Sequence, residues 1–191
     1  MTVRVLVAGD ANLDLVLHGD VEPRFGQAEQ LLDSADLVLG SSAGICATGL
    51  ARLGVATALV AAVGEDYLGE RTRRLLANAG VDTSDLVPSS AATALSVILA
   101  RPADRAILTF AGAITTLTSS DVRATLARSA PTHLHVASFF LVPDFAHGLA
   151  STLHDARASG VTTSLDPNWH PAQRWDGLAD CLPPLDVRSP Y

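Results

Sequence analysis

The stretch from residue 39 to residue 70 constrains the fold of this chain more than any other. It reads LGSSAGICATGLARLGVATALVAAVGEDYLGE, which indicates a turn of small residues, an Ala/Gly-rich helix, a strand and a second turn. Residues 55–63 are continuously apolar, which is typical of a strand buried on both faces of a parallel sheet. Gly54 precedes them and predicts the end of the helix. The stretch therefore predicts an α/β fold.

The turn at residues 40–44 allows two interpretations. All five residues are small and stand just ahead of the apolar positions Ile45, Leu50 and Leu53 of the predicted helix. Backbone amides at such a helix start can face a polar ligand. The same small residues can instead serve only close packing of the helix entry. The sequence of the turn leaves both interpretations open.

The rest of the chain alternates strands with helices. Further strands are predicted at residues 3–8, 133–137 and 161–165, and further helices at 68–79, 122–128 and 143–159. This alternation favours a mostly parallel sheet with helices on both faces. Two segments, residues 15–39 and 93–112, look antiparallel instead, and we expect them to form a small separate sheet. The last predicted strand, residues 185–187, has no covering helix, which suggests a shortened chain.

Composition excludes several classes of function. The 191 residues carry a net charge of −7 and 13 basic residues, all of them Arg. The absence of Lys excludes a P-loop lysine and a Schiff base within these residues. No basic surface for nucleic acid and no apolar run long enough to span a bilayer is present. The only cysteines, Cys46 and Cys181, lack the spacing of a redox or zinc motif, so we expect a reduced, cytoplasmic setting.

Polar residues follow two of the predicted strands. Asn12 and Asp14 come after the first strand, and Asp166 and Asn168 follow the strand at residues 161–165. In open parallel sheets, ligands bind at the carboxyl ends of the strands, so these side chains are placed to contact a polar substrate. The alternative is that they are only turn-forming residues.

Other chemistries have weaker support in the sequence. No Gly-x-Gly-x-x-Gly follows the first strand. His133 and His135 share one face of a strand, but neither has a further ligand at metal-binding spacing, so we predict no metal site. Trp169 and Trp175 flank a loop, where they form either a platform for a sugar or the packing of that loop.

Five segments, in order, resemble the signatures of the ribokinase-like, or PfkB-type, carbohydrate kinases. They are GDANLD at residues 9–14, GSSAG at 40–44 with ARLG at 51–54 and GEDYLG at 64–69, RAILTFAG at 105–112, DPN at 166–168 with a following Arg and Trp, and LPPLDVRSP at 182–190. The resemblance covers the whole chain.

The resemblance implies a Rossmann-like three-layer αβα domain with a small β lid, and a sugar phosphorylated by ATP with Mg²⁺. It also implies a homodimer through the lid. On the sugar side it implies Asn12, Asp14, Gly40, Ser41, Ser42 and Arg105, and on the nucleotide or phosphate side Asp166, Asn168 and Arg174. In this family a Gly-Ala-Gly-Asp turn supplies the catalytic Asp and an anion hole.

The chain departs from the family pattern at important positions. Ile45 stands where the family has a sugar-binding Asn, and Ser41 replaces a Gly. Neither Gly-Ala-Gly-Asp nor the magnesium motif Asn-x-x-Glu occurs in the sequence. We therefore expect residues 1–191 to be one incomplete, C-terminally truncated domain, with lid segments near 15–39 and 93–112. No catalytic residue and no metal ligand is assigned within it.

Three hypotheses follow from this departure. In the first, the chain is a truncated member of an ATP-dependent sugar kinase family and is inactive alone. In the second, it is a non-catalytic module that binds a sugar or a partner. In the third, it is a destabilised fragment with an exposed sheet edge.

Overall fold

The fold is taken from a computed structural model that describes residues 4–170 and 172–188. Within these ranges no helix is both long and apolar enough to cross a membrane. In chain order the strands are β1 (Val5–Ala8), β2 (Leu13–Gly19), β3 (Leu32–Leu39), β4 (Thr57–Val60), β5 (Ala62–Gly64), β6 (Val87–Ser89), β7 (Leu95–Ala100), β8 (Arg105–Phe110), β9 (His133–Ala137), β10 (Thr162–Asp166) and β11 (Val187–Arg188). The α-helices are α1 (Ser42–Arg52), α2 (Tyr67–Asn78), α3 (Ser119–Ser129), α4 (Pro143–Ala158) and α5 (Leu178–Cys181).

A five-stranded parallel sheet forms the centre of the molecule. Its strand order is β11-β10-β9-β1-β4, so β1 lies between two later strands. Alternate residues of β1 face opposite sides. Leu6 packs in a core with residues of α3 and α4, and Val7 packs in a second core with residues of α1 and α2. Helices therefore cover both faces, which confirms the predicted three-layer αβα fold.

A second sheet of four strands, in the order β3-β2-β7-β8, forms the lid. The two segments predicted to pair, residues 15–39 and 93–112, contain β3, β7, β8 and most of β2, which begins two residues earlier, at Leu13. The outer pairs are antiparallel, as predicted, but the central pair β2 and β7 is parallel. Arg71 of α2 donates a hydrogen bond to the carbonyl oxygen of Leu37 in β3. This bond connects the lid to the helical layer.

The predicted single strand at residues 55–63 is wrong in one respect. The chain leaves the central sheet after Val60, and β5 pairs in parallel with β6 to form a separate two-stranded sheet. The break is at Ala61, whose carbonyl oxygen accepts a hydrogen bond from the amide of Val87. The sequence does not mark this change of sheet, because the run at residues 55–63 stays apolar across it and both strands are buried.

The helix ends follow their sequence signals, but of the three apolar positions predicted for α1 only Leu50 packs against the core. Gly54 follows Leu53, the C-cap residue of α1, and has φ 82°. This left-handed conformation favours glycine at the end of a helix. Ile45 and Leu53 are 57% and 82% exposed, and the buried face of α1 consists of smaller residues such as Ala43 and Ala47. Close approach of α1 to the sheet therefore depends on small side chains.

A hydrogen-bonded chain of side chains crosses β9 and β10. Thr162 donates its one hydroxyl proton to the carbonyl oxygen of Thr132, so it accepts from Nδ1 of His133. Neutral His133 then accepts at Nε2 from the hydroxyl of Ser164, 2.7 Å away. Ser164 in turn accepts from Nδ1 of His135 at 2.8 Å. This order of donors requires the imidazole of His133 to be neutral, whereas His135 can donate at Nδ1 in either protonation state.

We expect the stability of the chain to fall as the pH drops below about 6.5, the ordinary pKa of histidine. Burial lowers the pKa of His133 and of His135, against an opposing contribution from Asp186 and Asp166 respectively. A depressed histidine pKa gives stability that is present above the ordinary value and is lost as the pH falls through the folded value. Melting temperatures between about pH 8 and pH 5 measure this loss.

The variant His135→Gln should flatten the pH dependence of the melting temperature, because glutamine does not protonate. His154→Gln, on an exposed part of α4, is the matched control for loss of an imidazole and should keep the wild-type slope. An equal slope in wild type and His135→Gln would contradict the assigned lowering of the His135 pKa by burial.

Candidate functional site

Asn12 and Asp14 form a polar pair at the point where the chain passes from β1 of the central sheet into β2 of the lid. Asn12 is 3% exposed, and its Nδ2 donates to Oδ1 of Asp14 at 2.9 Å and to the carbonyl oxygen of Leu13 at 3.0 Å. Ser96 of β7 lies 3.4 Å from the same nitrogen. The pair is therefore held by both sheets and presents a half-buried carboxylate.

The environment raises the pKa of Asp14. Burial is the main cause, and the nearby charge of Asp10 adds to it. The bonds from Asn12 and Ser96 and the charge of Arg105 act in the opposite direction. A carboxylate with an enhanced proton affinity is a strong hydrogen-bond acceptor, and sugar hydroxyls are donors of the kind it can bind.

The turn at residues 40–44 lies against this pair. A Cβ on Gly40 would overlap the carboxylate of Asp14, so a larger residue at this position would displace that carboxylate. Ser41 has φ 69° and caps α1, because its Oγ accepts from the amide of Gly44 at 3.0 Å. The strained Ser41 and the close approach at Gly40 place the turn directly beside Asp14.

The first amides of α1 face a carboxylate of the protein itself. Oδ1 of Asp10 accepts from the amide of Ala43 at 2.9 Å, and Oδ2 lies 3.4 Å from the amide of Ser42. Asp10 is 3% exposed, and burial raises the pKa of its carboxyl while the amide of Ala43 lowers it. The sequence left open whether these amides face a ligand or serve close packing, and the structure pairs them with Asp10.

The turn after β10 closes the other side of the site. Nδ2 of Asn168 donates to Oγ of Ser42 at 3.0 Å, and the amide of Asn168 donates to Oδ1 of Asp166 at 3.1 Å. Asn168 has φ 61°, a left-handed conformation that asparagine tolerates. The structure thus connects Asp166 and Asn168, predicted for the nucleotide or phosphate side, with Ser42, predicted for the sugar side.

The two predicted arginines lie farther out. Arg105, at the start of β8, is exposed and acts on Asp14 through its charge. Arg174 lies 3.6 Å from the carboxylate of Asp176 and lines a different cavity, of about 600 Å³, beside Phe140 and Cys181. Arg174 is therefore not brought together with Asp14.

Trp169 and Trp175 pack against each other. Their ring centroids are 5.5 Å apart in an edge-to-face arrangement, and Phe140 contacts Trp175 in the same way at 5.4 Å. Such aromatic pairs stabilise the loop that carries them. Of the two interpretations of this pair, the contacts favour packing of the loop.

Asp10 and Ser138 were not predicted as site residues. Ser138 has φ 60°, is fully buried and follows β9, and its amide donates to the carbonyl oxygen of Asp166 at 3.2 Å. Its hydroxyl has no partner of good geometry among the described residues, yet it is near enough to lower the pKa of Asp10. The signal for Asp10 was an acid two residues after the end of the buried strand β1.

The described residues do not complete a magnesium site on their own. Residues 4–170 and 172–188 contain no group of three or more His, Cys, Asp or Glu side chains that could hold a metal ion. Mg²⁺ is bound mostly by oxygen ligands, from carboxylates and from substrate phosphates. The last residues of the run at 182–190, which resembles the approach to a magnesium motif, lie outside the described residues.

The comparisons with known proteins include one family model that matches most of the chain. The model of the "pfkB family carbohydrate kinase" matches residues 7–187. The chain is 34% identical over 167 residues to the ATP-dependent ribose-1-phosphate kinase of Halopiger xanaduensis, which covers 86% of this chain and 54% of that protein. The chain thus spans about half the length of that relative.

Solved structures show the same fold at lower identity. The fructokinase of Xylella fastidiosa with bound ATP superimposes with a TM-score of 0.78 at 24% identity, over 98% of this chain and 61% of that one. A putative ribokinase II of E. coli in complex with ATP and Mg²⁺ gives 0.79 at 22% identity, over 97% and 61%.

Proposed function

The chain belongs to the pfkB family of carbohydrate kinases, and from that premise we propose that it binds the acceptor sugar of an ATP-dependent kinase. The acceptor we propose is a pentose or pentose phosphate, in line with the name of the Halopiger relative. The observation that carries the proposal is the Asn12–Asp14 pair, held between the two sheets against Gly40.

The chemistry of the pair supports a sugar hydroxyl as its ligand. Asp14 accepts hydrogen bonds, and the amide of Asn12 can both donate and accept. A site that hydrogen-bonds a substrate hydroxyl discriminates against molecules that lack it, because its polar groups would be left unpaired. In this proposal Asp14 and Asn12 bind and orient the sugar, and the lid covers it.

Phosphoryl transfer needs more than these residues. The acceptor oxygen forms a bond to the γ-phosphorus of ATP, the bond from that phosphorus to the bridging oxygen of ADP breaks, and the hydroxyl proton passes to a base. The sequence has no Gly-Ala-Gly-Asp turn to supply this base. We therefore propose that the 191 residues alone bind the acceptor and do not phosphorylate it, with ATP and Mg²⁺ used by the longer family proteins.

Titration calorimetry with a panel of acceptors tests the binding. We expect α-D-ribose 1-phosphate or D-ribose to bind wild type, and the variant Asp14→Asn to lose at least tenfold in affinity, because a charged acceptor is replaced by a neutral one. D-fructose is the comparison ligand. Asp36→Asn, an exposed change in β3 of the same lid, should leave the affinity unchanged.

Two results would contradict this assignment. Binding that is equal in wild type and Asp14→Asn would remove Asp14 from the site. No binding by any member of the panel would reject the chain as a sugar-binding unit and favour the hypothesis of a destabilised fragment.

A homodimer through the lid is the partner arrangement we propose. The pairing register puts apolar residues of all four lid strands on one face, namely Leu15, Leu17, Leu37, Val97, Leu99, Leu108 and Phe110. Leu108 and Phe110 are 59% and 58% exposed. An apolar sheet face of this kind supports burial against a second copy. The two free cysteines support a reduced, cytoplasmic location.

A further inference from the structure

Asp10 lies where four parts of the site meet. Its carboxylate follows β1, and its partners are the amides of Ser42 and Ala43 at the start of α1. The buried hydroxyl of Ser138 approaches it from the end of β9. Asn168, after β10, donates to the side chain of the same Ser42. One carboxylate therefore fixes α1 against the carboxyl ends of the central strands.

The packing around Asp10 leaves little freedom for this arrangement. A Cβ on the preceding Gly9 would lie 2.5 Å from the carbonyl oxygen of Ala137 and 2.9 Å from Cβ of Ala43. Glycine is thus required where β1, β9 and α1 come closest. Movement of α1 relative to β1 would have to break the bonds to Asp10.

The cap on α3 shows what an ordinary helix cap looks like in this chain. There Asp121 accepts from the amide of Thr118, and Thr118 accepts from the amide of Asp121, three residues apart. This capping box is local and stabilises its own helix. Asp10, by contrast, is 32 and 33 residues from its partners, so it fixes the position of α1 relative to the strand that continues to Asp14.

We propose that Asp10 is a positioning residue of the acceptor site, holding the turn at residues 40–44 against Asp14 through the first amides of α1. The inference rests on the proposed function, because it concerns the same sugar. Gly40 touches Asp14, so a shift of the turn changes the space beside the carboxylate that binds the acceptor. Asp10 itself does not contact the sugar.

Asp10 also acts on Asp14 through its charge. The negative charge of Asp10 raises the pKa of Asp14. Neutralising Asp10 therefore lowers the pKa of Asp14. If ionised Asp14 is the acceptor, the affinity for the sugar falls at low pH, and this fall, the acid limb of the binding profile, should move to lower pH in the variant. A change that only weakens the cap of a helix has no such effect on the pH dependence of binding.

The test compares wild type, Asp10→Asn and Asp121→Asn by calorimetry with α-D-ribose 1-phosphate between about pH 4.5 and 8, together with melting temperatures. Both variants lose a helix-capping bond and should melt a few degrees lower, since a cap contributes roughly 1 kcal/mol. Only Asp10→Asn should lose about tenfold in affinity and shift the acid limb to lower pH.

The outcomes separate this inference from the proposed function. If wild type binds no acceptor, the proposed function fails and this inference fails with it. If wild type binds and Asp10→Asn matches it in affinity and pH dependence, Asp10 has no positioning role and the proposed function stands. Should Asp10→Asn not fold, the amide resonances of Ser42 and Ala43 in wild type decide: they must titrate with Asp10 and shift when the acceptor is added, and unchanged resonances overturn the inference.

Discussion

Pure 191-residue protein mixed with ATP, Mg²⁺ and a pentose or pentose phosphate should form no measurable ADP above background. A positioned general base contributes about 10² to 10⁴-fold to a rate, and the removal of one oxyanion-hole donor costs about 10² to 10³-fold. The sequence has neither the family's catalytic Asp motif nor its anion-hole turn. Loss of both reduces the rate by several orders of magnitude. A coupled assay for ADP measures it.

A fusion provides the positive control. Joining this chain to the portion of the Halopiger xanaduensis relative beyond the matched half should restore sugar-dependent ADP formation. The same fusion carrying Asp14→Asn should be strongly impaired. Clear sugar-dependent turnover by the unfused chain, retained after removal of contaminating kinases, would falsify the proposal that these residues only bind.

Gly69→Ala should destabilise the chain severely. Gly69 lies in the first turn of α2, where a Cβ would overlap the carbonyl oxygen of Gly64 and lie 2.8 Å from Oγ1 of Thr93. Its amide also donates to Asp66 at 2.8 Å. Because the main obstacle is backbone, the turn must move, and we expect a loss of about 3 kcal/mol and a melting temperature lower by roughly 6 to 12 °C.

Gly49→Ala is the matched control for this change. Gly49 is also helical, in α1, and a Cβ there would meet nothing within 4 Å. The same substitution should stabilise the chain by up to about 1 kcal/mol, since alanine restricts the unfolded chain and favours the helix. Equal effects of the two substitutions would contradict the assigned close contact at Gly69.

The turn at residues 64–69 is thus structural. Asp66 caps α2, and its Oδ2 also accepts from the amide of Thr93 at 2.7 Å. Burial acts to raise the pKa of Asp66, but the bonds from Thr93 and Gly69 outweigh it and lower that pKa. The glycines and the acid of this turn, which resemble the family signature, therefore serve the packing of α2 against the segment before β7.

The sequence predicted best those helix ends that are set by residues at the end itself. In the structure Thr118 and Asp121 cap the start of α3, α4 begins at Pro143 where its predicted range begins, and Gly54 follows α1 and Gly160 follows α4, each with a positive φ. Such residues act through the backbone beside them, so a single sequence contains the information. The antiparallel pairing of β7 and β8 within the segment 93–112 was predictable for the same reason.

Features that depend on distant residues were not predictable. The change of sheet at Ala61 has no local marker, because it is set by pairing with Val87. The parallel pairing of β2 with β7 is likewise a choice between segments far apart. Asp10 was overlooked because its partners lie 32 and 33 residues on, whereas sequence patterns for helix caps extend over three residues.

The parallel pairing of β2 with β7 also bears on the order in which parts of the chain fold. These neighbours are separated by roughly 80 residues of chain, so joining them early would carry a large loop-closure entropy. The intervening chain contains α1, β4 and α2, which can collapse first and bring the two strands near each other. We therefore expect the lid sheet to be completed late, and the proposed acceptor site of a nascent chain to form only after β7 has left the ribosome.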